Sequence, residues 1–101
     1  MRLSSRQRDI LKQLAHEHFG AGVALLLFGS RADDDKRGGD IDLYVTGLEL
    51  PDAARLVAKI NFVVAAKRQL GEQRIDVVFA SGAGQAPLPI QKMAEQTGIP
   101  L

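Results

Sequence analysis

In DIDLYV, residues 40 to 45, every second side chain is aliphatic and the positions between hold Asp40, Asp42 and Tyr44. That alternation is the period of a β-strand, which sends Ile41, Leu43 and Val45 to one side and the two aspartates and the tyrosine to the other. One side needs a covering layer; the other must be solvated or have a use for its charge, because a carboxylate buried without a partner is costly. Just upstream, VALLLF (23–28) is apolar throughout and bounded by glycines, as expected of a short strand covered on both faces. The segment between, GSRADDDKRGG, is too polar and glycine-rich for regular structure throughout, although Ser30 is placed to cap a short helix over 31–34. It is also too short for a full crossover helix, so the two strands are expected to be neighbours.

The rest of the chain supplies the covering layers. Ser4 and Gln7 have capping-box spacing, and Leu3, Ile10, Leu11 and Leu14 fall on one stripe, predicting a helix over 5–18 that ends at Gly20 to Gly22. Pro51-Asp52 opens a long helix to about Leu70, with Gly71 as its stop. Ala53, Leu56, Val57, Ile60, Val63, Val64 and Leu70 make its expected core stripe, and Phe62, with Ala58 and Ala65, lies opposite it. RIDVVFA (74–80) reads as a third strand, with Ile75, Val77 and Phe79 facing one way and Asp76 and Val78 the other. SGAGQAPLP is a loop, and 90–98 a last short helix. Helix, strand, strand, helix, strand, helix is the order of a single α/β (α+β) domain over residues 1–101, with a small sheet of about three strands flanked by helices.

Composition narrows the function classes. Thirteen Lys and Arg against twelve Asp and Glu leave a formal charge of +1. No overall field therefore points to nucleic acid or an acidic membrane, and any anion site must be local. Cysteine is absent, which excludes thiolate metal sites and disulfides and suits a reducing cytosol. The first ten residues lack an apolar signal core, and no apolar run approaches the ~20 residues of a membrane helix. The expectation is a soluble cytoplasmic protein with no membrane partner and no direct nucleic-acid binding.

If the third strand pairs with the second, Asp76 joins Asp40 and Asp42 on one sheet face. No equivalent cluster of cations lies beside the three carboxylates in sequence, and like charges held close repel unless a cation is shared. All-oxygen ligands favour Mg²⁺ or Mn²⁺, and carboxylates spaced i, i+2 on a strand can bridge two ions ~3.5–4 Å apart, as in phosphoryl and nucleotidyl transfer. Gly29-Ser30 follows a buried strand, so its backbone N–H groups and hydroxyl can meet a phosphate, with Arg31 and Arg37 able to add contacts. Each part has a plainer reading: Gly-Ser as a turn, D-x-D as a solvated strand face, Asp76 as the polar side of a strand. Their order and spacing together are far less accidental.

FGSRA, then GGDIDLYV, then RIDVVF together resemble the nucleotidyltransferases of the DNA polymerase beta superfamily, specifically the minimal nucleotidyltransferases of bacteria and archaea. The resemblance implies the nucleotidyltransferase fold and a two-Mg²⁺ reaction in which a hydroxyl attacks the α-phosphate of an NTP, most often ATP, and pyrophosphate leaves. On this resemblance Gly29, Ser30 and Arg31 are nucleotide-binding, Asp40 and Asp42 hold both metals, and Asp76 holds the catalytic metal and helps deprotonate the attacking hydroxyl. It also implies a helical HEPN-type toxin as partner and acceptor, with this chain as the antitoxin. Asp33-Asp34 stand where the family often shows Arg-Gly. They favour a rival reading, a non-enzymatic antitoxin that neutralises its partner by occlusion. A second rival, a metal-dependent nuclease, needs a basic groove that the near-neutral charge does not suggest.

Other residues carry less. Phe62, opposite the expected stripe, would be exposed unless a second copy or a toxin covered it. His16 and His18, two apart on a helix, do not face each other and make a poor metal pair. Tyr44 either packs at the sheet edge or touches the nucleotide. GAGQAP has no G-x-G-x-x-G pattern, and no P-loop occurs.

Overall fold

The computed structural model describes residues 3–29, 41–71, 73–81 and 85–101. Its elements in chain order are α1 (Ser5–Phe19), β1 (Ala24–Phe28), β2 (Ile41–Thr46), α2 (Asp52–Leu70), β3 (Ile75–Phe79), α3 (Pro89–Thr97) and β4 (Ile99–Pro100). The strands form one mixed sheet in the order β3-β2-β1-β4. β1 runs antiparallel to both β2 and β4, while β2 and β3, joined across α2, are parallel.

Local chemistry sets the helix ends where the sequence places them. The capping box forms: the Gln7 N–H donates to Ser4 Oγ at 3.0 Å, and the Ser4 N–H donates to Gln7 Oε1 at 2.9 Å. α2 begins just after Pro51, with Asp52 in its positive first turn, and closes with Lys67 and Arg68 in the last turn before Gly71. The start of α3 is held by Gln91. Its Oε1 accepts the Leu88 N–H at 2.6 Å, and its Nε2 donates to the Phe79 carbonyl at 2.8 Å, tying the helix to the end of β3.

The sheet is covered on both faces, as the unbroken apolar run of β1 requires. On one face Leu25, Leu27, Ile41, Leu43, Val45, Ile75 and Val77 meet Leu11, Leu14, Ala15 and Phe19 of α1 and Phe62 and Ala66 of α2. On the other, Phe28, Tyr44 and Ala94 of α3 form a smaller cluster, with Leu26, Val78 and Ala80 at its margin.

Three expectations are corrected. Among the described residues the sheet has four strands, where about three were expected. β4 is two residues long and includes a proline, so it has no period to read; Pro100 is tolerated because the strand lies at the edge. Phe62 is fully buried, its ring 5.0 Å from that of Phe19 and edge-on to His18 at 6.4 Å, so no oligomer or toxin surface can be built on it. α2 is turned so that Phe62, Ala58 and Ala66 face the core and Leu56, Val57, Ile60 and Val64 point outward. A large ring buries more area there than a branched aliphatic, and the alanines beside it leave room for α1. Third, Tyr44 packs inside the sheet on β2, which has neighbours on both sides, rather than at an edge.

Candidate functional site

Of the residues expected to carry chemistry, Gly29, Asp42 and Asp76 are described and lie together; Ser30, Arg31 and Asp40, with the expected short helix over 31–34, lie outside the described residues. The parallel register pairs Asp42 directly with Asp76, between the pairs Ile41–Ile75 and Leu43–Val77. Directly paired residues share a sheet face with their Cβ atoms about 5 Å apart, so both carboxylates stand on the face opposite the α1/α2 core. On its other side Asp42 is in register with Phe28, the last residue of β1.

Gly29 follows at once, with φ +75°, a left-handed conformation that side chains other than hydrogen rarely adopt. A Cβ built on it would collide with Oδ2 of Asp42 and lie 3.3 Å from its Cγ. Backbone and carboxylate thus approach as closely as they do because residue 29 has no side chain.

The electrostatics are local. Asp42 and Asp76 are half-buried, and like charges directly opposite each other on paired strands repel. Arg74, just before β3 and two residues before Asp76, brings its Nε to 3.7 Å from Asp76 Oδ2. The Arg74 side chain is exposed and that of Asp76 half-exposed, so that pair contributes under about 1 kcal/mol. Sequence reading passed over Arg74, although its i−2 spacing from Asp76 was the available signal. It passed over Glu95 as well. Tyr44, on the same face as Asp42, donates its hydroxyl to Glu95 Oε1 at 2.6 Å. Burial, then the hydrogen bond to Glu95 and the charge on that residue, push the Tyr44 hydroxyl up to about 12. It is a neutral structural donor, held by α3.

Two hard, half-buried carboxylates in register make an oxygen donor set suited to Mg²⁺ or Mn²⁺ and unsuited to softer metals. Among the described residues no group of three or more His, Cys, Asp or Glu gathers at one point; the third expected ligand, Asp40, lies outside them. The arrangement can hold a divalent cation beside a glycine-lined backbone, and the half-exposed Asp76 can accept a proton from a hydroxyl that reaches it.

Elsewhere, a cleft of about 490 Å³ between the end of α1 and the start of α2 is lined by Glu17, His18, Ala54 and Val57, on the far side of the sheet from the carboxylates. Among the described residues no helix is long and apolar enough to cross a membrane. No protein-family model matches the chain, and no curated protein matches it.

Proposed function

We propose that the chain is a Mg²⁺-dependent nucleotidyltransferase that moves a nucleoside monophosphate, AMP from ATP, onto a hydroxyl of a protein partner, a helical HEPN-type toxin for which it serves as antitoxin. The observation that carries the reading is the register pairing of Asp42 with Asp76 beside a glycine that a Cβ would push off the Asp42 carboxylate. Asp42 and Asp76, with Asp40, hold the metal. Bound Mg²⁺ would neutralise phosphate charge and make the α-phosphorus a better electrophile. Gly29, with Ser30 and Arg31, binds the phosphates through backbone N–H groups, hydroxyl and guanidinium. Asp76 takes the proton of the acceptor hydroxyl as its oxygen bonds to the α-phosphorus, and the bond to the bridging oxygen breaks to release pyrophosphate.

Two readouts test the proposal. Mn²⁺ titrated into the wild-type chain and followed by electron spin resonance should bind at least about tenfold more tightly than to Asp42→Asn, with the two proteins melting at similar temperatures. ATP radiolabelled at the α-phosphate should label the partner with wild type and not with Asp42→Asn. Equal Mn²⁺ affinity in wild type and variant would overturn the reading.

A further inference from the structure

The outer face of α2 carries an apolar stripe that no element among the described residues covers. Leu56 is 62% exposed, Val57 58%, Ile60 52% and Val64 44%, all on one side of a helix about 28 Å long, at i, i+1, i+4 and i+8 spacing rather than scattered singly. We infer that this face binds a second copy of the same chain, with the two α2 helices antiparallel about a twofold axis through Ile60. This goes beyond the proposed transferase activity and does not depend on it.

Self-complementarity argues for a second copy. An isologous interface requires that when residue i meets j, j meets i. Leu56 and Val64 are each four residues from Ile60, so a twofold axis there sets Ile60 against Ile60 and Leu56 against Val64, and the same pairs recur on the other half. Charge selects the antiparallel direction. The start of α2 carries Asp52, whose side chain is 98% exposed and lies 3.6 Å from Arg55 Nε of the same helix, and its last turn carries Lys67 and Arg68. Antiparallel pairing brings Asp52 of one copy beside Lys67 and Arg68 of the other at both ends of the stripe, and opposes the helix dipoles. Parallel pairing would set like ends together. A single helix pair lies at the low end of stable interface areas, so a dissociation constant on the order of micromolar is expected.

The chain has no cysteine, which makes the geometry directly testable. Sedimentation equilibrium should show a reversible shift from 10.9 kDa towards twice that mass as concentration rises into the high-micromolar range. Ile60→Cys, with its thiol on the twofold axis, should oxidise to a covalent dimer, whereas Gln13→Cys on the exposed face of α1 should not. Ile60→Lys should stay monomeric with an unchanged melting temperature. Asp52→Lys should weaken association about tenfold, and adding Lys67→Glu and Arg68→Glu should restore it. A single 10.9 kDa species at every concentration, or crosslinking of Gln13→Cys as readily as Ile60→Cys, would overturn the inference and leave the face to a different chain.

Discussion

The two faces of the sheet are made by alternate residues of the same three strands, yet they differ in kind. The face under α1 and α2 is built from aliphatic and aromatic side chains, with the Phe19 ring against both Phe62 and Phe79. The face under α3 carries Asp42, Asp76, and the Tyr44–Glu95 and Gln91–Phe79 hydrogen bonds around a cluster of three buried apolar residues among those described. A strand cannot optimise both sides of itself for packing and still keep groups for chemistry. Here the larger face supplies burial and the smaller holds polar groups in fixed positions. Substitutions on the first should therefore cost stability, and those on the second should alter titration and site geometry.

The largest effect is expected from Phe62→Ala. Removing a fully buried ring that touches Phe19 and faces His18 should lower unfolding free energy by about 3–5 kcal/mol, read from urea denaturation. A loss within about 0.5 kcal/mol, the usual range for a surface site, would mean that α2 is turned the other way.

That residue also marks where sequence reading stops. β2 and β3 were legible because a period of two has one phase once Ile41, Leu43 and Val45 are set inward, and the Asp42–Asp76 alignment follows from it once the strands pair. α1 was legible because Ser4 and Gln7 cap it and its apolar residues make one stripe. α2 has apolar residues all round, so its pattern defines a helix and leaves its rotation open; packing against Phe19 and His18, more than forty residues away in sequence, decides it. β4 gives no pattern in two residues. Glu95 could not be matched to Tyr44 because the pair is 51 residues apart. Gly29 was legible as a turn glycine, but the closeness of the Asp42 carboxylate to it is a property of the folded register alone.

A smaller effect comes from the polar face and has a sign. The Tyr44 hydroxyl is raised in the folded chain from 10.0 to about 12, chiefly by burial. Below pH 10 both folded and unfolded chains keep the proton and stability is unaffected. Between pH 10 and 12 the unfolded tyrosine ionises while the folded one does not, so stability falls by up to roughly 3 kcal/mol; above 12 both are ionised and the loss levels off. The chain has one tyrosine and no tryptophan, so the phenolate ultraviolet band reports this residue alone. Its midpoint should lie about two units higher in native protein than in urea. Tyr44→Phe should cost about 1 kcal/mol at neutral pH through the lost bond to Glu95 and should remove this part of the alkaline loss. Equal midpoints in native and denatured protein would show that the polar face is open to water.

The smallest expected change in stability is at Gly29, where the two faces meet the chemistry. Alanine there must hold φ near +75°, at a cost of about 1 kcal/mol, and must displace the Asp42 carboxylate or be displaced by it. The strand beneath is clamped by Leu27 and Phe28, both buried, so the carboxylate is the part that yields. Gly29→Ala should therefore melt only slightly below wild type while losing at least about tenfold in Mn²⁺ affinity, a separation of stability from site geometry that no substitution on the α1/α2 face should produce. If Gly29→Ala binds Mn²⁺ like wild type, the close approach of backbone and carboxylate has no role in the site. The glycine then serves only to turn the chain out of β1.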